Sequence, residues 1–181
     1  MDFSVLDEAL AQLRANGQVT EGTAQDPIGV STGATTRITG RPSSLLRWCK
    51  ATESAVIERS MEDARVFVGF QAFSRSRPVA DRFRRIHEVC ASLYVVGEPD
   101  AELGFPATAV VPIRSGAMLG EWFLLVSSSV YQGLLVARED GEPGAGAPGG
   151  MRTLSGVITH DAPTIRALAE RMTTAFERAT T

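Results

Sequence analysis

The residues with the most chemical promise stand at the ends of apolar runs. In "VFVGFQAFSRSRP", residues 66–78, the run Val66, Phe67, Val68, Gly69 and Phe70 stops at Gln71 and continues into Phe73, Arg75 and Arg77. A strand leaving a core ordinarily exits into turn residues. This one exits into an amide that both donates and accepts, then an aromatic ring, a pair suited to orienting a planar, partly polar molecule. Glu98 ends a second apolar run, Leu93–Gly97, in the same manner. As parallel strands, the two runs place Gln71 and Glu98 on one carboxyl edge, where α/β sheets bind ligands. Farther along, Trp122 and Tyr131 offer flat walls and Arg138 a cationic anchor. The predicted ligand-binding set is Phe70, Gln71, Phe73, Glu98, Trp122, Tyr131 and Arg138. Plainer alternatives stand beside it. Gln71 bonded to loop backbone, Glu98 solvated beside Pro99, both aromatics packed in the core and Arg138 paired with Glu139 account for the same residues. Gly69 is expected to let a ligand or a neighbouring backbone approach closely.

Other constellations are weaker. His87 and Cys90 lie three apart on a predicted helix, but zinc needs two more ligands, and Cys49 and His160 are far away in sequence. No metal is expected. Ser127, Ser128 and Ser129 with His160 and Asp161 supply the residue types of a hydrolase without a G-x-S-x-G elbow. His160-Asp161 reads better as a strand exit followed by a helix N-cap. There is no G-x-G-x-x-G and no P-loop. Catalysis is not expected, and an α/β enzyme working at the same sheet edge is the alternative.

These residues need elements to position them. The chain has 181 residues, 44% hydrophobic and 22% charged, with a net charge of −3. That composition suits a folded domain and provides no general attraction to nucleic acid or an anionic membrane. Two cysteines without a disulfide pattern, no membrane-length apolar run and no signal peptide predict a cytoplasmic protein. Asp2 is the expected cap of a short helix with Val5, Leu6, Ala9, Leu10 and Leu13 on one side. That stripe needs burial, either over the same chain's core or by self-association, most simply as a homodimer. Residues 1–41 read as this helix plus a flexible arm with one strand near Thr36–Thr39, and 42–181 as the main domain. A second helix spans about 43–60, with Leu45, Trp48, Cys49, Thr52 and Val56 along one side.

A strand over 66–70, a helix over 76–91 with Pro78 in its first turn, and a strand over 93–97 form a βαβ unit with parallel strands. In that helix Val79, Phe83, Ile86 and Cys90 face the core, while Asp81, Arg82, Arg85 and Glu88 face water. After Gly97 the runs Thr108–Ile113, Glu121–Ser128, Tyr131–Arg138 and Arg152–Thr159 follow without helices between them, which predicts antiparallel hairpins. "EDGEPGAGAPGG", 139–150, reads as a flexible hairpin tip. A last helix is capped by Asp161 and carries Ile165, Leu168, Met172 and Phe176. The fold class is mixed α/β: one central mixed sheet with a parallel βαβ unit, antiparallel hairpins and helices packed on it.

The order of these parts resembles the DICT sensory domain family, associated with diguanylate cyclases and two-component systems. The matching features are Phe70-Gln71, the basic helix through Arg82 and Arg85, Gly97-Glu98, Glu121-Trp122, Ala137-Arg138-Glu139 and "SGVITHDAPTIRALAERM". The resemblance covers about residues 44–178. It implies a cytoplasmic bacterial signal-input module that binds a small molecule and signals through a partner protein, in light or stress responses; the residues leave the identity of the ligand and any cofactor unknown. Members usually carry a DNA-binding or cyclase output domain, and residues 1–41 hold too little for a recognition-helix motif.

Overall fold

The computed structural model describes residues 3–20, 34–40, 42–139 and 153–180. Its elements, in chain order, are α1 (Val5–Ala15), β1 (Thr35–Gly40), α2 (Pro42–Glu58), β2 (Arg65–Ala72), α3 (Ala80–Val89), β3 (Ser92–Glu98), β4 (Ala109–Pro112), β5 (Glu121–Ser127), β6 (Gln132–Glu139), β7 (Leu154–Thr159) and α4 (Ala162–Thr180). Two 3₁₀ segments, Phe73–Val79 and Ala117–Gly120, precede α3 and β5.

The strands form one seven-stranded sheet in the order β1-β7-β6-β5-β2-β3-β4. β2 and β3 pair in parallel, as the βαβ spacing requires, and β5, β6, β7 and β1 continue antiparallel. Strand alternation sorts side chains between two faces. On one face Phe67, Phe123, Leu125, Val136 and Val157 pack against α1 and α4. Val66, Val68, Leu124, Val126, Leu135 and Ala137 pack on the other, against α2 and α3. In α4 the predicted stripe Ile165, Leu168, Met172 and Phe176 is completely buried, each residue contributing about 1.5–3 kcal/mol. Asp161 caps that helix as expected, accepting from the Thr164 N–H at 3.1 Å.

Several details depart from the sequence reading. Ser4 caps α1, its Oγ accepting from the Asp7 N–H at 2.9 Å; Asp2 lies outside the described residues. The apolar stripe of α1 is covered by this chain's own sheet and α4, so it exerts no demand for a second copy. β1, read as part of an arm, pairs along its whole length with β7. The helix predicted over 76–91 is α only from Ala80; Phe73–Val79, with Pro78 inside it, winds as 3₁₀. β4 runs parallel to β3 and is not a hairpin partner. A short connection does not dictate direction. Residues 99–108, extended, reach about 33 Å, ample to return along the seven residues of β3, about 23 Å long. Thr108 then staples the entry of β4, its N–H donating to the Leu93 carbonyl and its hydroxyl accepting from the Leu93 N–H. The stretch 140–150, expected to be flexible, falls outside the described residues.

Sheet packing hinges on two glycines. A Cβ at Gly69 would lie 2.3 Å from the Phe123 ring, so Gly69 makes room for a core aromatic rather than for a ligand. A Cβ at Gly156 would lie 2.0 Å from the Val136 carbonyl oxygen, whereas one at Gly40 meets nothing within 4 Å. Gly156→Ala is therefore expected to lower unfolding free energy by about 3 kcal/mol, the upper end for overpacking, with Gly40→Ala close to neutral. Urea denaturation of the two variants checks this, and equal stability of both would contradict it.

Candidate functional site

A cavity of about 230 Å³ lies between α2 and the sheet, at the end where β2 terminates. Engineered cavities of about 150 Å³ hold benzene, so this one has room for one or two small rings. Helix α2 supplies one wall through Pro42, Leu46, Cys49 and Glu53, spaced four, three and four apart and hence on one helical face. The opposite wall is the alternate-residue face of the sheet: Val68 and Phe70 of β2, Trp122 and Leu124 of β5, Glu139 of β6 and Leu154 of β7. Gln71, Arg75 and Val79 close the end.

Of the predicted residues, the structure brings Phe70, Gln71 and Trp122 together here. Gln71 sits in the left-handed region, φ 62°, where the pairing of β2 with β3 shifts between Gly69 and Ala72. Its Nε2 donates to the Gly120 carbonyl at 3.1 Å and its Oε1 accepts from the Arg75 guanidinium. The loop-backbone bond and the cavity position thus coexist in one side chain.

The other four lie elsewhere. Phe73 is buried against Gly97, where an added Cβ would come within 3.0 Å of its ring. Glu98 is exposed at the end of β3. Tyr131 precedes β6 at the far end of the sheet, its hydroxyl 3.2 Å from Thr52 Oγ1 and its ring edge-on to His160. Arg138 faces α1. It pairs directly across the ladder with Glu121, while Trp122 pairs with Ala137, so alternation puts Arg138 and Trp122 on opposite faces. Arg138 donates to Glu121 at 2.8 Å, to Ser4 at 2.9 Å and to Asp7 at 3.2 Å. Glu121, with no exposed surface, also accepts from the Ser4 hydroxyl at 2.6 Å and the Val5 N–H at 2.8 Å.

Two ionisable cavity residues absent from the predicted set, Glu53 and Cys49, lie on α2. Glu53 is buried and receives a 2.6 Å bond from Arg82, which is therefore not a purely solvated residue of α3. The available signal was an acid occupying the same helical stripe as Leu46 and Cys49. Burial pushes the Glu53 carboxyl above its ordinary value, and the Arg82 hydrogen bond and charge only partly offset it. Burial, reinforced by the nearby Glu53, drives the Cys49 thiol up to about 12. A thiol so protonated is a poor nucleophile and packs as a small apolar group. Among the described residues, no group of three or more His, Cys, Asp or Glu is placed to hold a metal.

A three-layer α/β domain with a largely apolar cavity at the end of its interior strand β2 is the class these features define. The chain belongs to the DICT family: the family model described as "Sensory domain in DIguanylate Cyclases and Two-component system" matches residues 30–140. The matched region runs through β6 and takes in every cavity residue named above except Leu154. No curated protein matches the chain. None of the helices among the described residues is long and apolar enough to cross a membrane.

Because folding raises the Glu53 pKa, the folded chain binds that proton more tightly than the unfolded chain does. Stability from this residue is thus greatest in acid and declines as pH climbs from the ordinary carboxylate value past the raised one. Arg82→Met removes the partner and steepens the decline. Its loss at neutral pH is expected to be about 2 kcal/mol, below the 3–5 of a fully buried pair because Arg82 is 29% exposed. Glu53→Gln in the same background flattens the profile. Thermal denaturation from about pH 5 to pH 8 reads both, and parallel profiles in all three proteins would refute the assignment.

Proposed function

We propose that this chain is a non-catalytic signal-input module that holds a small, planar, largely apolar molecule between α2 and the sheet. The cavity is the observation that carries the reading. Its walls are Leu46, Val68, Phe70, Trp122, Leu124 and Leu154, with the Gln71 amide at one end as the group able to orient a polar edge. Membership of a sensory-domain family supports an input role. The protonated Cys49 and the paired Glu53 favour binding over chemistry. A conjugated ligand would serve a light response and a colourless one a stress response. The bound state would be read by a cytoplasmic signalling partner, or by a second copy in a homodimer.

Native mass spectrometry of protein purified from its own host, with an absorbance spectrum of the same sample, tests the reading. One small molecule per chain is expected. Leu46→Trp, which places an indole at the cavity from a half-exposed position on α2, is expected to lose it. Gln71→Ala should weaken binding about fivefold, equivalent to one net hydrogen bond of about 1 kcal/mol. A bare chain mass in wild type and Leu46→Trp alike would sink the proposal.

A further inference from the structure

We propose that Gln71 couples the cavity to helix α1, so that a ligand engaging the Gln71 amide loosens the first turn of α1 on the opposite face of the sheet. The inference rests on reading the cavity as a ligand site and adds how its occupancy is transmitted. Three contacts form the connection. The first is the Gln71 Nε2 bond to the Gly120 carbonyl at 3.1 Å. The Gly120 carbonyl and the Glu121 N–H belong to one planar peptide unit, so this bond fixes the plane from which Glu121 departs. The second is the Glu121 carboxylate, wholly buried, accepting from the Ser4 hydroxyl at 2.6 Å and the Val5 N–H at 2.8 Å. Val5 is the first residue of α1, and its N–H is one of the donors that a helix start cannot satisfy internally. The third is Arg138, which bonds both Glu121 and Ser4 and closes the cluster.

Gln71 is built to have two states. It is a non-glycine residue at φ 62°, a backbone conformation that persists only where surrounding contacts impose it. Its side chain supplies those contacts, through Gly120 and Arg75. A ligand presenting a donor and an acceptor to the cavity competes for both amide atoms at once. When Gln71 turns to it, the Gly120–Glu121 peptide keeps the Glu121 N–H bond to the Met118 carbonyl but loses the restraint on its own carbonyl, and the carboxylate is held less firmly under α1. The stripe Val5, Leu6, Ala9, Leu10 and Leu13 keeps the body of the helix docked, so the change is confined to its first turn. A signal received beneath α2 thus emerges on the α1 face.

Amide hydrogen exchange over residues 5–8 tests the coupling. Gln71→Gly keeps the positive φ without penalty and deletes the amide. Gln71→Asn tolerates the same backbone region but is one methylene too short to reach Gly120. In both, exchange in the first turn of α1 is expected to quicken about tenfold, with α4 and β2 unchanged. On wild type, saturating 4-nitrophenol, a planar absorbing probe, should produce the same acceleration, and on Gln71→Gly no further change. Binding of the probe is read separately, as quenching of Trp122 emission in Trp48→Phe, which leaves Trp122 as the single tryptophan. Unaltered α1 protection in both variants, or uniform acceleration throughout the chain, overturns the coupling. Quenching without any change in α1 overturns it too, while leaving the cavity reading intact. An absence of quenching, with α1 loosened in the variants, counts against the cavity reading alone and supports the connection from Gln71 to α1.

Discussion

Strand β2 is the constraint around which the molecule is arranged. Its backbone bonds to β3 on one side and β5 on the other, and helices cover both its faces. The middle of a strand so enclosed has no position where a polar side chain meets water, and Val66, Phe67 and Val68 are accordingly buried almost completely. Such a strand is also difficult to leave, because its ladder bonds must end in a buried setting. The chain solves this with a register shift at Gln71, whose side chain bonds replace those that the ladder gives up. Phe73–Val79 then turns as 3₁₀ beneath the Asp100 carboxylate, which accepts from the Ser74 N–H at 2.9 Å. Hydrogen bonds from Ser74 hold that carboxyl below its usual range.

Each face of the sheet carries one buried acid paired with an arginine: Glu53 with Arg82 under α2 and α3, Glu121 with Arg138 under α1. Desolvation offsets much of the Coulombic gain of such pairs, so they add little net stability. Their contribution is placement. Glu53 ties α2 to α3, and Glu121 ties the start of α1 to neighbouring strands β5 and β6. An apolar interface of Leu and Val tolerates small slides; a carboxylate bonded from three directions does not.

Much of this was legible in the residues. Helical stripes located α1, α2 and α4, because a 3.6-residue period survives any tertiary context. The long spacing between the runs at 66–70 and 93–97 forced a parallel pair. The end of β2 stood out because an amide followed five apolar residues. What stayed hidden was relational. The direction of β4 depends on where residues 99–108 return, which no local pattern encodes. Arg138 and Trp122 looked like partners because both stand near strand ends, but period-two alternation across the β5–β6 register separates them by the thickness of the sheet. Glu53 was readable as a charge on an apolar stripe, yet its meaning required Arg82, twenty-nine residues away on another helix.

The position of β1 bears on how the chain is made. β1 lies at one end of the sheet and pairs with β7, Thr35 opposite Thr159, with their hydroxyls 2.8 Å apart. Helix α1 likewise docks on α4 and on β5 and β6. During synthesis, at about 5–20 residues per second, the first forty residues therefore emerge long before the surfaces that receive them. Loop closure over so many residues is slow and comes late. The N-terminal segment thus closes contacts of the highest sequence separation in the fold, β1 with β7 and α1 with α4.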